Sequence, residues 1–126
     1  MTSVTPKKTS SAGLRAFFKI SEAWKLSGVQ QMSLLGLDNE STLYKWKKDP
    51  DSAKPSKDLL ERISYILGIY KDLQILLPDN ASADAWVSNA STAKLFDGKA
   101  PLDRMCKGSI VDLFLVRQYL ARERGI

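Results

Sequence analysis

Residues 29–48, Val-Gln-Gln-Met-Ser-Leu-Leu-Gly-Leu-Asp-Asn-Glu-Ser-Thr-Leu-Tyr-Lys-Trp-Lys-Lys, leave this chain few folds to choose from. An apolar-faced helix runs into Gly36, a polar turn follows, and a second helix opens on capping residues. That order describes a helix-turn-helix unit. Gly36 suits the end of the first helix, where a left-handed backbone costs glycine little. Asp38 or Asn39 can cap the second helix by accepting from its unpaired N–H groups. Leu43 and Trp46 stand three apart and share its inner face. Glu40, Ser41, Tyr44, Lys45, Lys47 and Lys48 then fall on the outer face. Such a face can donate to phosphates and reach base edges. Lysines at a helix end also suit the helix dipole without any partner, so the spacing by itself admits both readings.

Two short helices cannot bury a core of their own, so flanking helices are required. Ser10 or Ser11 is expected to cap one that runs to about Leu26, with Leu14, Phe17, Phe18 and Trp24 along one stripe. Ser27-Gly28 breaks it. After a loop with Pro50 and Pro55, Ser56 opens a long helix. Its apolar positions Leu59, Leu60, Ile63, Ile66, Leu67, Tyr70, Leu73 and Leu77 keep a helical period, and Gly68 is a candidate to bend or divide it. Pro78-Asp79-Asn80 ends that helix and marks a boundary. The expected division is a mobile tail at 1–9, a helix-turn-helix domain at 10–78 and a smaller helical unit at 79–126. In the last, a short helix at 82–88 carries Trp86, and an irregular stretch at 89–100 follows. Pro101 opens and Gly108 closes a helix of about two turns. Ser109 with Asp112 has the spacing of a capping box. The final helix carries Ile110, Val111, Leu113, Phe114, Leu115, Val116, Tyr119 and Leu120, apolar on nearly every side, so part of it is expected to face another chain. The fold class expected is all-α.

At 126 residues the chain suffices for one domain or two very small ones sharing a core. It carries 19 basic and 14 acidic residues, a net +5. Residues 1–77 hold +4 of that and residues 78–126 only +1, so the surplus travels with the helix-turn-helix. There is one cysteine, Cys106, and no histidine. No disulfide framework or metal cluster at the usual spacing can be built, and no imidazole stands by to activate the thiol. An enzyme is therefore not expected, nor a cofactor; Asp97 and Asp103 read as turn and helix-start residues. No apolar run is long enough to span a membrane, and a cytoplasmic protein is the expectation.

Further segments carry a resemblance. They are Glu61-Arg62-Ile63-Ser64-Tyr65-Ile66-Leu67-Gly68-Ile69-Tyr70-Lys71, Leu76-Leu77-Pro78-Asp79, then Trp86 and Asn89. Phe96-Asp97-Gly98-Lys99-Ala100-Pro101-Leu102-Asp103-Arg104-Met105 and Val116-Arg117-Gln118-Tyr119-Leu120 complete the series. In this order they resemble the antitoxins of the Xre/MbcA/ParS type, from about residue 14 onward. The resemblance implies a type II toxin–antitoxin pair. The C-terminal domain would cover the active-site cleft of a RES-type toxin, similar to ADP-ribosyltransferases and NAD-depleting, while the helix-turn-helix represses the shared operon. Trp86, Asn89, Phe96, Gly98, Pro101 and Leu102 match the toxin-binding signature. The chain departs from the usual pattern by one extra residue between Gly36 and Trp46, by lacking a proline before Asn89, and by a longer run to Gly98.

An NAD-binding cleft holds a pyrophosphate, and a plug can work sterically or by engaging the residues that bind it. On that ground Arg117, Arg122 and Arg124 are candidates to pair with toxin carboxylates through their planar forks. Lys45, Lys47 and Lys48 are candidates for phosphates, and Ser41, Thr42 and Tyr44 for base edges or positioning. One helix-turn-helix has a small footprint, so operator DNA implies a homodimer, seated on the apolar surface of either the 63–77 or the 110–120 helix. The competing reading is a stand-alone helix-turn-helix repressor whose C-terminal domain only dimerises.

Overall fold

The computed structural model describes residues 5–126. It contains seven α-helices and no strand among those residues: α1 (Pro6–Ala23), α2 (Gly28–Leu35), α3 (Glu40–Lys48), α4 (Lys57–Leu76), α5 (Asn80–Ala85), α6 (Pro101–Met105) and α7 (Ile110–Glu123). Two short 3-10 turns, Pro50–Ser52 and Trp86–Ser88, interrupt the connections. No described helix is long and apolar enough to cross a membrane.

The first helix starts earlier than its apolar stripe suggests. Thr5 caps it by accepting from the Lys8 amide at 3.2 Å, and Pro6 takes the first helical position, where its missing N–H costs nothing. Residues 6–9 are exposed, so no apolar stripe marks them. Of the expected tail, residues 6–9 are thus helix and residues 1–4 lie outside the described residues. Ser10 and Ser11, expected as caps, are buried inside α1; the Ser10 hydroxyl donates to the Lys7 carbonyl at 3.1 Å. The helix stops at Ala23 because Lys25 turns left-handed, with the Leu26 amide donating back to the Ser21 carbonyl at 2.9 Å.

Helix α4 is the spine. One side packs against α1 and the other against α7, with Ile63, Ile66, Ile69 and Leu73 buried between. Burial of these side chains drives the assembly, at about 1.5–3 kcal/mol for each large aliphatic group fully removed from water. Gly68 does not divide the helix, which runs unbroken across it. Its absent side chain leaves a trough instead: a Cβ there would sit 2.2 Å from Arg117 Nε. Arg117 crosses α4 through that trough to reach Asp72, one turn further on.

Asp72 is fully buried, and both of its oxygens are taken. Arg117 donates to one, and Arg124 donates to the other at 2.7 Å. A carboxylate sealed from water must be paired, and two guanidinium groups from α7 and the residue that follows it pair this one. Arg62 does the reciprocal work nearer the start of α4. Its guanidinium donates to Asp58 Oδ2 at 2.8 Å, to the Gly108 carbonyl at 2.8 Å and to the Ser33 carbonyl at 3.4 Å. One side chain thus joins the end of α2, the spine and the turn before α7. That turn differs in detail from the capping box expected: Ser109 caps α7, but Asp112 accepts from Arg104 Nε at 2.7 Å.

Replacing Asp72 by Asn should cost about 3–5 kcal/mol in urea unfolding, because two arginines lose their counter-charge inside the protein. Replacing Asp72, Arg117 and Arg124 together by apolar residues should cost much less, since no charge is left stranded. At the other end of the molecule, the Ser11 hydroxyl donates to Asp51, and Arg15 lies 3.4 Å from the same carboxylate. The hydrogen bond from Ser11, assisted by the charge of Arg15, holds the Asp51 carboxyl below its ordinary pKa. The stability this contributes is present above the ordinary carboxylate range and is lost as pH falls through the lowered value. Titration of the Asp51 carboxyl followed by NMR should therefore move upward in Ser11→Ala.

Candidate nucleic-acid and partner interfaces

Four residues, Gly36 to Asn39, join α2 to α3. Helix α2 begins with a reciprocal cap: the Gln30 amide donates to Ser27 Oγ at 3.1 Å, and Gln30 Oε1 accepts from the Ser27 amide at 2.8 Å. It ends with Gly36 at φ +73° and the Leu37 amide bonded to the Met32 carbonyl at 2.8 Å. Gly36 is needed for contact as well as for conformation, since a Cβ there would lie 2.8 Å from Arg62 Nε. Of the two capping candidates, Asn39 serves α3, accepting from the Ser41 amide at 2.8 Å and the Thr42 amide at 3.4 Å. A four-residue connection is inside the helix-turn-helix range.

Leu43 is buried and Trp46 half-buried, fixing how α3 is rotated. Glu40, Tyr44 and Lys48 form one outward row at four-residue spacing, and Ser41 with Lys45 forms the next. All five are exposed, Tyr44 at 59%. Thr42 is half-buried at one edge. Lys47 sits at the opposite edge with its ammonium 5.9 Å from the centre of the Phe18 ring, turned toward α1. Lys45, Lys47 and Lys48 make no ion pair among the described residues, so their charge is available to solvent or to a partner.

In the C-terminal part, Trp86, Phe96 and Tyr119 form an aromatic knot with ring centres 5.3–6.3 Å apart. Trp86 is half-buried, while Phe96, Pro101 and Leu102 are buried. These four hold the domain's shape. Asn89 and Gly98 are exposed. Asp97 and Gly98 both have positive φ, at 51° and 78°, and the Lys99 amide closes the turn onto the Phe96 carbonyl at 2.9 Å. The three candidate arginines separate: Arg117 and Arg124 are bound to Asp72, whereas Arg122 is exposed and makes no ion pair among the described residues. Val111 and Phe114 of α7 are 56% and 42% exposed, and Phe114 meets the half-buried Tyr65 edge-on at 5.9 Å.

Sequence reasoning missed Asp72 and Arg62. Asp72 did carry a signal, since it stands three residues after Ile69 and beside Leu73, on the inner face of α4. A charge at an inward helical position requires a cation from elsewhere in the chain.

Comparison with known proteins agrees with this layout. Residues 9–68 match the antitoxin Xre-like helix-turn-helix domain, and residues 72–125 match the antitoxin Xre/MbcA/ParS C-terminal toxin-binding domain. The uncharacterized protein y4oB of Sinorhizobium fredii (strain NBRC 101917 / NGR234) is 44% identical over 114 residues, covering 90% of this chain and 85% of that protein. No solved structure matches.

Cys106 is half-buried beside α6, and burial, with the nearby Asp103 carboxylate adding to it, pushes its thiol up to about 11. At pH 8 its thiolate fraction should be roughly a hundredfold below that of an ordinary exposed cysteine. Alkylation by iodoacetamide should be slow to a similar degree in the folded protein and become ordinary in urea, read by mass spectrometry.

Proposed function

Since the chain belongs to the antitoxin family that joins an Xre-like helix-turn-helix domain to an Xre/MbcA/ParS toxin-binding domain, we propose that it silences a cognate RES-type toxin and represses its own operon. The toxin in this reading is an NAD-depleting enzyme, and the antitoxin covers its active-site cleft. The pair is of type II, protein against protein, and acts in the cytoplasm. The antitoxin itself performs no chemistry and needs no cofactor.

The observation that carries the DNA half is the double row on α3. Glu40, Ser41 and Tyr44 lie within reach of base edges, and Lys45 and Lys48 supply phosphate contacts from the same face. Lys47 and Thr42 flank it from the edges, as backbone contacts. The cap by Asn39 fixes the start of α3, and the bond from Arg62 to the Ser33 carbonyl anchors the end of α2, so the unit is preformed for docking. Two copies would read half-sites one helical turn apart, about 34 Å. The apolar surface of Tyr65, Val111 and Phe114 supplies a seam for the second copy.

For the toxin half, the aromatic knot and the closed turn at Asp97-Gly98 present a preformed surface that includes Asn89 and Gly98. The half-buried Trp86 and the buried Phe96, Pro101 and Leu102 act by shaping that surface. Arg122 remains available to a toxin carboxylate. Arg117 and Arg124 serve instead by docking α7 on the spine.

Band-shift titrations with the chain's own upstream DNA at several salt concentrations test this reading. Lys48→Ala should weaken binding to all sequences alike and lower the salt slope by about 1. Tyr44→Ala should change discrimination between the operator and unrelated DNA. Wild-type protein that neither shifts its upstream DNA nor protects cells expressing the neighbouring toxin would overturn the proposal.

A further inference from the structure

Residues 79–126 hold seven Lys or Arg side chains. Two of them, Arg117 and Arg124, are spent on Asp72, and Arg122 lies just past them at the end of α7. The remaining four, Lys94, Lys99, Arg104 and Lys107, line one depression of about 680 Å³. Half-buried Leu95 also lines it, beside a buried Phe96 that is locked in place by Trp86 and Tyr119.

We propose that this depression is where the antitoxin grips an acidic segment of its toxin, a surface separate from the arginines of α7. The proposal rests on the toxin-neutralising reading above.

The depression is built rather than incidental. Lys94 and Lys99 flank a turn closed by three backbone hydrogen bonds: the Lys99 amide to the Phe96 carbonyl at 2.9 Å, the Asp97 amide to the Ala93 carbonyl at 3.2 Å, and the Ser91 amide to the Lys99 carbonyl at 3.0 Å. Arg104 is anchored through Nε to the buried Asp112, which leaves its terminal N–H groups without an acceptor among the described residues. A guanidinium already immobilised loses little entropy when it takes a carboxylate, and its fork accepts one bidentately. Lys94, Lys99 and Lys107 form no ion pair among the described residues, so this charge is not neutralised from within.

The chemistry favours a protein segment over a phosphate backbone. Asp97 and Asp103 also line the depression, which lowers its net charge to +2. Phosphates drawn in as a continuous polyanion would meet those two carboxylates. A peptide with acidic side chains beside an apolar one can match the cations and cover the half-buried Leu95 together. The depression also overlaps the stretch matching the toxin-binding domain and lies away from α3 in the chain.

The test uses the full-length protein carrying Lys94→Glu, Lys99→Glu and Lys107→Glu together, with the corresponding triple Gln variant beside it. All three lysines are exposed, and circular dichroism should report unchanged helix content. Binding to an inactivated form of the neighbouring toxin is measured by calorimetry at low and high salt, and binding to upstream DNA by band shift. The Glu variant should lose about a hundredfold in toxin affinity and the Gln variant about tenfold, with a weaker salt dependence than wild type. DNA affinity should stay within about twofold of wild type. Toxin binding equal to wild type in both variants would overturn the inference while leaving the proposed function standing, as would loss of DNA binding with toxin binding intact. Wild-type protein that fails to bind the toxin at all would overturn both.

Discussion

A carboxylate with no access to water sits at the centre of this molecule. Both oxygens of Asp72 are paired because Arg117 and Arg124 reach it, and they reach it only if α7 lies along α4 in one register. Apolar packing of Leu113, Val116 and Leu120 would tolerate some sliding of one helix past the other. The ion triad would not. Gly68 completes the constraint by giving Arg117 a path across the spine. The position of α7 then fixes the turn at Gly108, the bond from Arg62 to its carbonyl, and through Arg62 the end of α2.

The two cationic residue types are divided by task. Five of the six ion pairs among the described residues use arginine, and the sixth, Lys57 with Glu61, lies on the outside of α4. Arginine's planar, weakly hydrated fork suits partly buried pairs, while lysine's strongly hydrated ammonium prefers solvent. The lysines are accordingly left outward, at the face of α3 and around the turn that follows Phe96. Most of the charge that holds the helices together is therefore arginine, and most of the charge left on the outside is lysine.

Local signals in the chain were legible. Gly36 followed by Asn39 marks the turn, Leu43 and Trp46 set the inner face of α3, and Ser56 and Ser109 cap the helices expected of them. Thr5-Pro6 is an equally local start signal, but the exposed first turn of α1 has no apolar stripe to draw attention to it. What could not be read were partners distant in sequence. Arg117 and Arg124 lie 45 and 52 residues from Asp72, and nothing in the C-terminal stretch marks them as internal. Asp112 stands at capping distance from Ser109, yet Arg104 offers a charged partner, and a charge-assisted bond outcompetes a neutral amide. Trp86 and Phe96 could be placed near the core by residue type, and Asp97 before Gly98 marked a turn, whereas its closure onto Ala93 and Ser91 was not legible.

The spine has an evolutionary corollary. A gene fusion that exchanged front halves between relatives at the proline after α4 would leave Asp72 in one parent and its two arginines in the other. Such a chimera would keep the buried pairing only where both parents carry the same three residues. The two halves are therefore tied by a buried charge, however separable they look along the chain.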